Sequence, residues 1–278
     1  MPEGDNVLQV ARMLARELPG RTLDLVRTKD LGELPDLAGR RVESVRPLGK
    51  QMFVELEGGW TLRVHLGMHG TWTRLHARER MPRAATLVLV SGDVAWVCSR
   101  AYRAEAIPTG ALRTHPRLAR LGPDLLAEPA PIDEAVRRAL TPAYANREIG
   151  DLVMDQRVAA GIGNIYKSET LFECRVHPRA RVHQLGEDGV RRVYEKAAEL
   201  MRLNLLIRGK GARGNRVPIR RRETPTTRRL WVYMRKNQPC YDCGAPIERF
   251  VQGDAGRSTY FCPRCQAEPA PLRVTGQF

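Results

Sequence analysis

The chain has 278 residues, with 46 Lys and Arg against 31 Asp and Glu, a formal net charge of +15 and a pI near 10.2. No run of about 18 apolar residues is present, which excludes a membrane-spanning helix, and the first residues lack a basic-then-apolar leader. The surplus, mostly arginine, points to a polyanionic partner, most simply nucleic acid, in a cytoplasmic protein whose six cysteines are reduced or metal-bound.

In chain order, Met1 is followed by Pro2, Glu3, Gly4 and Asp5. A small second residue allows Met1 to be removed, which would leave a secondary amine beside a carboxylate. An α-amino group titrates near pH ~8, against ~10.4 for lysine. Part of it is then unprotonated at neutral pH and able to form a Schiff base with a sugar carbon. Residues 5–18 follow with Val7, Val10, Ala11, Leu14 and Leu18 at helical spacing. Short β-type runs are predicted at 22–28, 41–47, 51–57, 61–66, 86–91 and 94–98, separated by turns such as Glu57-Gly58-Gly59 and Ser91-Gly92-Asp93. This rhythm predicts an antiparallel sandwich or barrel over 1–126.

Ala127-Glu128-Pro129-Ala130-Pro131-Ile132 reads as a linker. From 133 to 236 the pattern is helical, with helices predicted over 133–140, 147–156, 165–174 and 187–207. The turn Gly161-Ile162-Gly163-Asn164 separates two of them. Its glycines permit a tight turn and close backbone approach. Asn164 is predicted to open the next helix, where free N–H groups favour phosphate. Residues 208–236 carry eleven Lys and Arg, including Arg220-Arg221-Arg222, and one acid, Glu223. The whole is α+β and multidomain.

Residues 237–278 hold Cys240-Tyr241-Asp242-Cys243 and Cys262-Pro263-Arg264-Cys265 across an 18-residue spacer. Two C-x2-C pairs at this distance match one structural zinc ion held by four thiolates, with no open position for catalysis. The spacer is long enough for a β-hairpin, and Arg257 near its tip is placed to offer a guanidinium to a phosphate. The same ribbon also suits a protein-interaction platform. Cys98 and Cys174 have no partner pattern and are expected to be buried.

Taken together, Pro2-Glu3-Gly4, Leu48-Gly49-Lys50, His65-Leu66-Gly67-Met68-His69-Gly70, Thr114-His115-Pro116, Leu121-Gly122-Pro123, Gly161 to Glu169, and the cysteine quartet with Arg257 resemble the formamidopyrimidine-DNA glycosylase and endonuclease VIII family. The resemblance spans nearly the whole chain. It implies a catalytic N-terminal sandwich with a flanking helix, a helix–two-turns–helix DNA-binding domain over 133–236, and a zinc β-hairpin finger. It also implies base excision repair of damaged DNA, with no small-molecule cofactor beyond the zinc ion, by a monomer found on the nucleoid. Pro2 would be the nucleophile and Glu3 the general acid/base, with Lys50 on an early strand holding a phosphate. Asn164 and Arg257 would grip the backbone around a flipped nucleotide, Arg257 thereby serving both binding and catalysis. Met68, on a later strand, would fill the gap in the stack.

Two departures bear on the branch. Asp5-Asn6 stands where the family usually has a second Pro-Glu. Ser99 to Ala104 lacks the segment that supplies further gap-fillers in guanine-lesion enzymes. The resemblance therefore leans to endonuclease VIII and oxidised pyrimidines, with strand cleavage by β,δ-elimination. The alternatives are a catalytically impaired or non-enzymatic DNA-binding zinc-finger protein, and a metal-dependent nuclease, for which no acidic cluster is evident.

Overall fold

The computed structural model describes residues 2–206 and 230–268. The Arg220-Arg221-Arg222 cluster and most of the basic stretch lie outside the described residues.

Helix α1 (Gly4–Leu14) turns Val7, Val10, Ala11 and Leu14 inward, as the spacing requires. It ends four residues before the expected boundary, loosening into turns ahead of Pro19, which cannot continue a helix. Leu18 is nevertheless buried, so the apolar pattern outlasts the helix. Nine strands follow: β1 (Leu25–Thr28), β2 (Gly32–Glu33), β3 (Val42–Leu48), β4 (Gln51–Leu56), β5 (Trp60–His65), β6 (Thr71–His76), β7 (Ala85–Ser91), β8 (Val94–Ser99) and β9 (Arg103–Pro108). They form two antiparallel sheets, ordered β3-β4-β5-β9 and β2-β1-β7-β8-β6. Alternate residues, among them Met52, Val54 and Leu56 from one sheet and Leu87, Leu89 and Trp96 from the other, meet in one core beneath α1.

Strands β2, β6 and β9 lie outside the predicted runs. Strand β9 reads Arg-Ala-Glu-Ala-Ile-Pro, a weak strand former. Pairing with β5 sets it, with Glu105 opposite Arg63 and their side chains in an ion pair.

A second core belongs to the helices α2 (Ile132–Ala139), α3 (Ile149–Leu152), α4 (Asn164–Glu173) and α5 (Val182–Leu206). Helix α5 is kinked at Gly186 (φ 61°), so its long regular part begins where 187–207 was expected. The helix expected over 147–156 shrinks to the single turn α3. Arg147 is drawn to Asp151 and Asp155, and Asp155 then caps the N–H of Arg157, turning the chain. The turn continues through Val158 and Ala159, whose N–H groups donate back to the Asp155 carbonyl, and delivers Ala160 to a bridge with Asp124.

The last elements are β10 (Glu248–Gln252) and β11 (Arg257–Phe261), paired from Glu248↔Phe261 to Gln252↔Arg257. A small core of Phe172, Trp231, Val232, Cys240, Ile247 and Cys262 seats them on α4. Among the described residues no helix is long and apolar enough to cross a membrane.

Candidate active site

Glu3 is buried at the foot of α1 and reaches the start of α4, 160 residues on. Its Oε2 accepts the N–H of Gly163 (2.7 Å) and of Tyr166 (3.3 Å), and its Oε1 accepts the N–H of Ile165 (2.8 Å). The unpaired donors of a helix N-terminus, with their partial positive charge, thus hold a carboxylate. This corrects the expectation that these donors await a phosphate. Burial pushes the Glu3 carboxyl above its ordinary range, opposed by the Lys50 charge and by the N–H groups.

Glycines make this approach possible. The Gly4 N–H donates 3.0 Å to the Gly161 carbonyl, and a side-chain carbon on Gly4 would stand 2.9 Å from Gly161 Cα. Gly161 itself has φ +115°. Pro2 is buried immediately before this clamp, so α1 and the glycine turn jointly fix where its nitrogen lies.

Lys50 lies in the tight turn between β3 and β4, not on a strand as expected. The turn is pinned by Asp124, whose Oδ2 accepts the Gly49 N–H at 2.7 Å and whose Oδ1 accepts the Leu126 N–H at 2.9 Å. Asp124 escaped the sequence reading because its partner is 75 residues away. The Lys50 ammonium is lowered to about 8, chiefly by burial, against the stabilising Glu3 charge and aided by Arg257. Lys50, Glu3 and Arg257 therefore share one electrostatic neighbourhood.

A pH dependence follows from the sign of that shift. Raising pH through about 8 removes the Lys50 charge, so the kcat/KM of wild-type enzyme on damaged duplex is expected to fall on the alkaline side. Lys50→Arg should carry that limb upward, because a guanidinium does not titrate there. An unmoved alkaline limb in Lys50→Arg would remove Lys50 from the profile.

Arg257 follows the turn at residues 253–256, and its guanidinium is exposed, with no hydrogen-bond or ion-pair partner among the described residues. Asn164 is buried and faces the hairpin, its Nδ2 donating 2.8 Å to the Ser258 carbonyl while Oδ1 has no partner. Met68 sits in the loop after β5, not on a strand, and is 57% exposed.

Beside this loop stands Tyr102, 67% exposed, which the sequence reading passed over. Its Cβ would lie 2.7 Å from a side-chain carbon on Gly67, and its ring meets His65 edge-on at 5.5 Å. An aromatic residue within the anomalous 99–104 segment was the available signal. His65 is kept uncharged at neutral pH, its imidazole lowered to about 4 by burial and nearby cations. Asp5 is buried and accepts Asn204 Nδ2 of α5 at 2.6 Å, so the departure at this position serves helix docking.

The four cysteine sulfurs, one from each of Cys240, Cys243, Cys262 and Cys265, lie within 4.8 Å of one another. Cys243 to Cys262 is 3.4 Å and Cys240 to Cys265 is 3.8 Å, against about 3.8 Å between sulfurs in a tetrahedron with zinc–sulfur bonds of about 2.3 Å. The donor set and spacing fit one structural zinc ion. Cys98 and Cys174 are buried, as expected.

Comparison with known proteins agrees with this geometry. Residues 1–102 match the formamidopyrimidine-DNA glycosylase N-terminal domain, 121–215 its H2TH domain, and 237–267 the zinc finger found in FPG and IleRS. The chain is 36% identical to a probable endonuclease 8 2 of Streptomyces coelicolor, covering 98% of this chain and 96% of that protein. It is 35% identical to formamidopyrimidine-DNA glycosylase of Thermus thermophilus, covering 96% and 99%. It is 34% identical to the DNA-(apurinic or apyrimidinic site) lyase Nei2 of Mycolicibacterium smegmatis, again covering 96% and 99%. In fold it is similar to Lactococcus lactis Fpg crystallised with oxidised-pyrimidine DNA, with a TM-score of 0.78 at 23% identity over 96% of this chain and 100% of that one. With its sandwich, helix–two-turns–helix element and zinc hairpin all matched, the chain belongs to the formamidopyrimidine-DNA glycosylase and endonuclease 8 family of DNA repair glycosylases.

Proposed function

We propose that this protein excises oxidised pyrimidines from DNA and then cuts the strand at the abasic site, using the amine of Pro2 exposed by removal of Met1. The carrying observation is the Glu3 carboxylate, seated by three backbone N–H groups directly beside Pro2 and within the field of Lys50.

The Pro2 nitrogen lone pair attacks C1′, and the base leaves with the electrons of the glycosidic bond. The nitrogen then sheds its proton. Opening of the C1′–O4′ bond gives an iminium, and O4′ takes a proton from Glu3, whose raised affinity for protons suits it to that role. The iminium acidifies the C2′ hydrogens. Loss of one expels the 3′-phosphate, and loss of the C4′ proton then expels the 5′-phosphate. Lys50 and Arg257 hold phosphates of the lesion strand as cations, and Asn164 orients the hairpin strand next to Arg257. Met68 and Tyr102 fill the space vacated by the flipped nucleotide, a role their exposed apolar side chains support. One zinc ion keeps the hairpin folded, and the reaction needs no further cofactor from a monomer. The endonuclease 8 and Nei2 relatives support the reading.

Borohydride trapping on duplex DNA with one abasic site tests it. A covalent band mapping to Pro2 is expected from the processed chain. Chain that retains Met1 should give none, because its Pro2 nitrogen is an amide. Pro2→Gly should lower strand cleavage strongly. A processed, zinc-loaded protein that binds the abasic duplex but never traps would instead be a DNA-binding family member without catalysis.

A further inference from the structure

The zinc hairpin is fastened to α4 through a buried cation. Lys167 lies one turn beyond Asn164 and is 1% exposed. Its ammonium donates 2.7 Å to Thr259 Oγ1 and 3.3 Å to the Ser258 carbonyl. Thr259 Oγ1 donates onward to Gln252 Oε1 at 2.8 Å. Gln252 Nε2 donates to Glu148 Oε2 at 2.8 Å and to the Pro178 carbonyl at 2.9 Å. Gln252 in turn pairs with Arg257 across the last rung of the hairpin. The chain of buried bonds therefore ends on the rung from which the exposed guanidinium projects.

Three features argue that this is more than packing. A buried ammonium carries a large desolvation cost, and among the described residues no carboxylate lies within ion-pair distance of Lys167: Asp151, which pairs with Arg147, and Glu3 favour its charge only from farther off. An apolar side chain would fill the same space without that cost, whereas the two hydrogen bonds from Lys167 fix both the position and the rotation of residues 258 and 259. Finally, α4 also seats Glu3 at its N-terminus. The same short helix thus sets where the acid stands and where the hairpin arginine stands.

We infer that Lys167 is a positioning residue for DNA binding, holding the Arg257 guanidinium at a fixed offset from Glu3 and Lys50 so that it meets a phosphate of the lesion strand. The inference rests on the reading of Arg257 as a phosphate contact. Lys167 itself touches no DNA, since it is sealed between α4 and β11.

A double-mutant cycle tests it, using full-length, zinc-loaded protein and a duplex carrying an uncleavable abasic-site analogue. Arg257→Ala and Lys167→Met are each expected to raise Kd about ten-fold, the scale of one charge-assisted hydrogen bond. The double variant should be no weaker than Arg257→Ala alone, because Lys167 acts through the arginine. Multiplying effects, or a wild-type Kd for Lys167→Met, would overturn the inference, as would loss of zinc from the otherwise folded Lys167→Met chain. If Lys167→Met does not fold, Thr259 carries the same test. Thr259→Val should weaken binding and Thr259→Ser should restore it, and equal affinities for the two would overturn the inference. An Arg257→Ala protein that binds like wild type locates the failure in the phosphate reading itself, and the inference falls with it.

Discussion

Gly163→Ala is expected to lower base excision by about 100-fold or more, the scale of an ångström-sized misplacement of a catalytic group. The backbone of Gly163 is extended (φ −120°, ψ −164°), so alanine can adopt it without strain. The added carbon, however, would stand 2.3 Å from Glu3 Cδ, far inside contact distance. Either the Glu3 carboxylate leaves its seat or α4 shifts away from α1. The first removes the N–H groups that fix the acid, and the second moves Pro2 relative to Lys50. Single-turnover excision on a damaged duplex, with thermal stability and zinc content as controls, measures the effect. A folded Gly163→Ala enzyme within a few-fold of wild type would show that the seat of Glu3 does not govern the chemistry.

Replacing Cys262 by Ser is expected to release the zinc ion and remove most of the affinity for damaged DNA. A two-stranded hairpin is at best marginally stable on its own. Among the described residues its core has six buried members, two of them the ligands Cys240 and Cys262. Structural zinc contributes about 10–16 kcal/mol in isolated zinc-finger peptides, so this hairpin cannot hold β11 in place without it. Loss of β11 removes Arg257 and strips Asn164 and Lys167 of their partners at Ser258 and Thr259. The sandwich core and the helical core share no residue with the hairpin core, so most secondary structure should persist. Zinc content, far-UV circular dichroism and Kd on an abasic duplex, measured together, distinguish these effects. Undiminished affinity in a zinc-free, folded chain would rule out the hairpin as a DNA contact.

Both outcomes depend on contacts between parts of the chain that are far apart in sequence. That explains what could be read early and what could not. The zinc site was legible because two C-x2-C pairs carry their ligand geometry within four residues each. Pro2-Glu3 was legible as a candidate pair because the amine and the carboxylate are covalent neighbours. The glycine turn at 161–163 was legible as a turn but not as the seat of Glu3, since the glutamate arrives from 160 residues away. The phosphate assigned to the α4 N-terminus was misplaced for the same reason, because a free helix end looks the same in sequence whichever anion reaches it.

The element boundaries divide along similar lines. Strands with strong β formers, such as β4, β7 and β8, appeared near their predicted limits. Strand β9 did not, because its pairing with β5 outweighs its weak propensity. The helix expected over 147–156 was cut short at Asp155, whose carboxylate accepts the Arg157 N–H two residues on and offers the backbone an alternative to the helix.

From the sequence came the family and the sandwich-then-helices order; residue type and local spacing carried the zinc ligands and marked Pro2-Glu3 and Arg257, whereas Lys50 and the roles expected of all four came from the family resemblance. Tertiary structure alone decided that α4 seats Glu3, that Asp124 pins the Lys50 turn, that Tyr102 stands against Gly67, and that Lys167 anchors the hairpin. Each of these joins segments that the packing of separate cores brings together, and no local pattern encodes such a distance.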